Sequence, residues 1–163
     1  MLPRHVMTRL IDLMQEQEQL MCKLYQTYAQ LFAAEKAPWL QLAKAEIEHA
    51  AWVETLRENV TDGLAHIDER RLILVDAYEA VTSEVKTEIA QCREKRKQPA
   101  DAFAAALRLE RTMLETDLFA FFEGDSPMLK GILCSLKTGT EKHLQDLEQL
   151  IEAEAQKLKK PWL

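Results

Sequence analysis

Glu46-Ile47-Glu48-His49 sets a carboxylate and an imidazole three residues apart, so on a helix both project from one face, one turn from each other. Helical bundles use this E-x-x-H unit to offer one bridging acid and one imidazole to a pair of metal ions. Further candidates stand at matching separations. Glu18 lies 28 residues before Glu46, and Glu110 lies 30 residues before Thr140, in Thr140-Glu141-Lys142-His143. The chain thus carries a weak internal repeat: an acid followed by Glu/His, then an acid followed by Thr/His. Carboxylate and imidazole donors suit iron or manganese, and also accept zinc.

Each of these residues interrupts an apolar row. Glu18 falls between Met14 and Met21, Glu46 and His49 between Leu42 and Val53, Glu110 between Leu107 and Leu114, and His143 between Leu136 and Leu147. An ionised carboxylate in a helix core costs several kcal/mol unless paired or metal-bound. Taken singly, each has an ordinary reading: a Glu on an apolar stripe carries its head to water, and a core His is satisfied by a hydrogen bond. Four helices each contributing such a residue give the metal reading its weight.

The elements follow from apolar periodicity. A first helix is predicted over Pro3–Ala34, with Leu10, Leu13, Gln17, Leu20, Leu24, Tyr28 and Leu31 on one row and Met14, Glu18, Met21, Tyr25 and Phe32 on its neighbour. A second begins near Pro38 and runs to Val60, ended by Thr61-Asp62-Gly63 with a left-handed glycine. Residues 64–101 form a long crossover containing an additional helix, marked by Val75, Tyr78, Val81, Val85, Ile89 and Cys92 and closed by Pro99. A fourth is predicted from an Asp101 cap to Phe122. Ser126 caps a fifth, with Pro127 in its first position. The fold class is all-α. Two antiparallel hairpins joined by a crossover long enough to span their length make a four-helix bundle, and the whole of residues 1–163 reads as a single domain.

Composition agrees and excludes some functions. The chain has 163 residues, 4 Gly and 5 Pro, and a formal charge of -6, which argues against a nucleic-acid partner. The cluster Arg93, Lys95, Arg96 and Lys97 reads as a solvated helix end. Cys22, Cys92 and Cys134 contain no C-x-x-C pair, which excludes a rubredoxin-type iron site, and they read as buried apolar filler in a reducing compartment. The N-terminus lacks a signal-peptide stretch and no run of 18 apolar residues exists, so the expected location is cytoplasmic and no membrane contact is expected. His5 and His66 have no periodic partner and are expected at the surface.

The chain resembles the ferritin-like superfamily, and within it the rubrerythrin-like proteins, through Glu18-x6-Tyr25, Glu46-x-x-His49, Glu110 and His143. That resemblance implies a carboxylate-bridged di-metal site. Glu18 and His49 would serve one metal, Glu110 and His143 the other, and Glu46 would bridge them. It also implies an iron cofactor and peroxidase-like or oxidase-like chemistry on peroxide or dioxygen. Electrons would come from a separate donor, because the rubredoxin domain is lacking.

The pattern departs from the family at Thr140, where a Glu is expected. Glu141 is turned about 100° around the helix. Asp146, one turn beyond His143, is a candidate substitute. Asp117 stands where Tyr25 stands in the first hairpin, about 10 Å along the helix from Glu110. The incomplete set implies a weaker or asymmetric site, with one ion held firmly. Tyr25 reads as core packing or as a donor to a ligating carboxylate. Two other readings stand beside the redox one. The chain is a metal-free relic acting as a structural or interaction module, with Glu110 and His143 bonded to each other, or it handles iron by passing it inward. A homodimer is expected, because the additional helix carries an apolar stripe that the bundle leaves uncovered.

Overall fold

Long runs of Ala, Leu, Glu, Gln and Lys with few breakers leave the helix as the main way to satisfy the backbone. The computed structural model describes residues 4–67, 74–94, 97–115 and 122–159. Five helices carry almost all of them: α1 Arg4–Leu31, α2 Lys36–Thr61, α3 Leu74–Glu94, α4 Pro99–Glu115 and α5 Pro127–Lys159. A short 3-10 turn, Ala33–Glu35, joins α1 to α2.

The helix ends follow local chemistry. At the end of α2, Gly63 takes φ 74°, and Leu64 N–H reaches back to Asn59 C=O while Gly63 N–H meets Val60 C=O. These bonds satisfy the last carbonyls, as the Thr-Asp-Gly run predicts. Ser126 caps α5, its hydroxyl accepting from Leu129 N–H at 3.4 Å with Pro127 next in line. The opening of α4 differs from expectation. Pro99 begins this helix rather than closing α3, and Asp101 reaches back to accept from Gln98 N–H at 3.1 Å. Proline loses nothing at a first helical position, and the third-position acid supplies half of a capping box.

The far end of α4 also departs from expectation. Phe122 is not helical but pairs with Ile67, and Glu123 with His66, in an antiparallel two-residue ladder of β1 (His66–Ile67) and β2 (Phe122–Glu123). This ladder ties the segment after α2 to the segment before α5. Asp117, Leu118 and Phe121, together with Lys95 and Arg96, lie outside the described residues.

The helices contact one another in a closed circuit: α1 on α2, α2 on α5, α5 on α4, α4 on α3 and α3 back on α1. The additional helix therefore sits over the seam between α1 and α4. Its stripe of Tyr78, Val81, Val85, Ile89 and Cys92 is buried within the chain, which removes the uncovered face that favoured a dimer. Polar links fasten it there. Thr82 Oγ1 donates to Gln17 Oε1 at 2.9 Å, and Gln17 Nε2 contacts Met113 Sδ at 3.4 Å, joining α3, α1 and α4. Tyr28 Oη donates to Glu88 Oε1 at 2.6 Å, and Lys97 pairs with the same oxygen. Lys97 is thus part of a half-buried cluster rather than a solvated helix end.

Trp39 anchors the core between α1 and α4. Its ring lies 4.6 Å from Phe103, 4.7 Å from Tyr28 and 5.7 Å from Tyr25, centroid to centroid. Among the expected core positions, Leu31 is exposed instead. Of the cysteines, Cys92 is buried, Cys22 half-buried and Cys134 exposed, so the filler role holds only for the first. Both His5 and His66 are exposed, as expected. No helix among the described residues is long and apolar enough to cross a membrane. Removing the central indole tests this core: Trp39→Ala should cost about 3–5 kcal/mol in urea unfolding, and a loss under about 1 kcal/mol would show that the ring is not central to packing.

Candidate metal centre

The apolar rows that bury α1, α2, α4 and α5 carry their polar interruptions inward with them. Glu18, Glu46, His49, Glu110 and His143 each expose 4% or less of their surface. They come from four helices and meet in one cluster. Glu46 is its middle. One of its oxygens, Oε2, lies 2.9 Å from His49 Nδ1, and the other, Oε1, lies 3.1 Å from His143 Nδ1. His49 Nδ1 is also 3.5 Å from Glu18 Oε2, and His143 Nδ1 is 3.1 Å from Glu110 Oε1. The two imidazoles stack with centroids 5.0 Å apart. All five residues expected from the sequence are thus brought together, with Glu18 beside His49, Glu110 beside His143 and Glu46 between them.

The tightest part is Glu46, His49 and His143, whose donor atoms lie within 4.8 Å of one another. These three can hold a metal ion: a carboxylate with two imidazoles is an established set for iron(II) and for zinc. Two carboxylate oxygens in the cluster support a cation there. Glu110 Oε2 is buried with no hydrogen-bond partner among the described residues. Glu46 Oε1 is likewise without an aligned donor, although His143 stands near it. Buried carboxylate oxygens are expensive when unsatisfied, and a cation is a partner they lack.

Electrostatics reinforce the point. Burial pushes the Glu18 carboxyl up to about 8, an effect that the His49 contact only partly offsets. Burial would also raise Glu46, but the two imidazoles outweigh it and bring that carboxyl down to about 2. Glu110 is raised, first by burial and then by the charge of Glu46. Burial opposes charge on both histidines, yet the facing carboxylates raise His49 to about 9 and His143 to about 11. Protons therefore hold the metal-free cluster together at neutral pH. A divalent cation would take over that role by displacing them.

Tyr25 Oη donates to Glu110 Oε1, so Tyr25 supports a carboxylate as well as packing on Trp39. Thr140 is buried, but its hydroxyl donates to Leu136 C=O of its own helix at 3.1 Å and offers nothing to the cluster. Asp146 does not lean in to replace the missing Glu. Its carboxylate accepts from Lys142 Nζ at 2.7 Å instead, one turn past His143 toward the edge of the α2/α5 seam. Glu141 is exposed.

One functional residue escapes a motif search. A Cβ on Gly139 would lie 2.2 Å from His49 Nε2 and 2.8 Å from Cε1. The glycine therefore makes room for the imidazole on the facing helix. A glycine inside a helix costs roughly 1 kcal/mol against Ala, so its place one residue before Thr140 is itself a signal.

No known protein family, curated protein or solved structure matches the chain.

Two outcomes follow from this geometry. Gly139→Ala should push His49 off Glu46 and destabilise the protein by roughly 1–3 kcal/mol. Gly131→Ala, on the same helix with open space around it, should stabilise by up to about 1 kcal/mol. Equal effects in chemical denaturation would refute the close approach. The second outcome is a pH dependence. Glu18 and His49 bind their protons more tightly folded than unfolded. Stability from Glu18 is present below its ordinary value and lost as pH rises through about 8, and that from His49 is lost through about 9. Metal-free protein should therefore lose Tm from pH 6 to pH 9, at roughly 2–4 °C per kcal/mol for a chain of this size. A flat or rising Tm would contradict the assignment.

Proposed function

We propose that this protein is a ferritin-like, rubrerythrin-like iron protein that reduces peroxide or dioxygen with electrons from a separate donor. The observation that carries the reading is Glu46, buried with one oxygen toward each of two imidazoles and flanked by Glu18 and Glu110. The circuit of α1, α2, α5 and α4, with α3 over one seam, accords with a ferritin-like bundle.

Glu46, His49 and His143 would hold one ion, with Glu18 on the His49 side and Glu110 on the His143 side each placed to help hold a second. Three carboxylates carry three negative charges, so one divalent ion leaves the cluster at a formal -1 and two leave it at +1. With Thr140 giving no further acid, the second ion is the weaker. Bound iron would supply the one-electron steps that reduction of an oxidant requires. Reduction of hydrogen peroxide to two waters takes two electrons and two protons. Glu18 holds a proton in the metal-free cluster and gives it up when a cation binds, so the two protons must enter from solvent, while Tyr25 Oη donates to Glu110 Oε1 and steadies that carboxylate. The apolar rows on both sides of the cluster exclude bulk water.

A second reading rests on one observation: Glu110 and His143 already contact each other at 3.1 Å, as a metal-free structural core would require. Metal analysis separates the two. Protein purified without chelator and reconstituted with iron(II) should hold about one or two iron atoms per chain, falling below about 0.2 in Glu46→Ala. Peroxide consumption with a chemical reductant should fall in step. Less than about 0.2 iron in the wild-type chain, with folding intact, would establish the structural reading instead.

A further inference from the structure

A cluster buried on every side needs a way in, and the seam between α2 and α5 contains one. A cavity of about 70 Å³ has His143 in its wall, with Gln41, Leu42 and Ala45 from α2 and Lys142 and Asp146 from α5. Beside it lies a groove of about 220 Å³ lined by Pro38, Gln41, Leu42, Asp146, Gln149 and Leu150. The two share Gln41, Leu42 and Asp146, so they adjoin along the seam. The inner cavity exceeds the roughly 10–15 Å³ that a single water needs, and an ion with part of its hydration shell fits it.

Gln41, Gln149 and Asp146 stand at the mouth, where the Asp146 side chain is 35% exposed and paired with Lys142 at 2.7 Å. Ala45, which lines the cavity but not the groove, marks the throat beside His143. At the inner end stands His143, next to the Glu46 and Glu110 carboxylates. A carboxylate at the mouth attracts a cation, and a lysine against that carboxylate opposes it.

Resting on the reading of the cluster as a metal site, we infer that the α2/α5 seam is the entrance through which a divalent cation reaches it, with Asp146 receiving the ion at the mouth and Lys142 restraining its passage. Asp146 then has a use that its failure to join the cluster leaves open, and the lysine one turn before it sets the rate of loading rather than the final occupancy.

Cobalt(II) uptake by the full metal-free chain tests this, with rate and final stoichiometry followed by visible absorption and metal analysis. Asp146→Asn should slow uptake at least about threefold, and Lys142→Gln should speed it at least about twofold. Ala45→Leu, which narrows the throat, should slow it at least about tenfold, and Gln41→Trp at the exposed mouth does the same job should that variant fail to fold. Final stoichiometry should be unchanged in all of them. Lys86→Gln makes the same charge change on α3, where Lys86 is half exposed, and should leave the rate near that of the wild type. Cobalt bound at unchanged rates in the seam variants, or equal acceleration by Lys86→Gln and Lys142→Gln, would overturn the entrance while leaving the metal site intact. Absence of cobalt from every variant and from the wild type would overturn the metal reading and the entrance together.

Discussion

Glu46 is an ionised carboxylate with 2% of its surface exposed, held between two imidazoles that each meet one of its oxygens. Burying such a charge costs several kcal/mol unless its partners are close and well placed. That requirement constrains the fold around it. His49 must share the helix of Glu46, and His143 must arrive from α5 at the same level. Glu18 and Glu110 must face inward from α1 and α4 at that level too. A slip of one residue in any of the four helices would turn its polar group about 100° away and leave the others unpaired.

The surrounding structure reads as provision for this demand. Gly139 gives up helix propensity so that α5 can close on His49. Tyr25 holds Glu110 from one side while its ring lies on Trp39, which links the polar cluster to the aromatic core. The third helix covers the seam that α1 and α4 leave between them. It is secured by Thr82 on Gln17 and by Tyr28 on Glu88, two links that satisfy buried polar groups instead of stranding them. On the opposite side, between α2 and α5, a cavity has His143 in its wall.

Much of this was legible in the residues because helical periodicity converts spacing into direction. The rows through Met14, Glu18 and Met21, and through Trp39, Leu42, Glu46, His49 and Val53, are buried as their spacing required, and the five candidate donors meet through contacts of 2.9–3.5 Å. What spacing does not encode is distance between helices. The clearance at Gly139 depends on how near α5 approaches α2, which no single-helix pattern contains. Where two chemistries compete for one residue, the pattern also misled. Pro99 ends a helix as readily as it begins one, and only the Asp101 contact with Gln98 N–H shows which applies. The predicted fourth helix runs to Phe122, yet the backbone of Phe122 pairs with Ile67. Asp146 stood one turn from His143, but a lysine four residues before it offered a closer partner in water.

The central claim is that one ion lies among Glu46, His49 and His143, and anomalous diffraction locates ions directly. Crystals grown with iron or cobalt, measured at the absorption edge of that metal, should show a peak roughly 2.0–2.3 Å from a Glu46 oxygen and from both Nδ1 atoms, with any second and weaker peak toward Glu18 or Glu110. A map with no anomalous density at the cluster, from crystals in which Glu46 still contacts both imidazoles at their present separations, would show that protons alone hold these residues together.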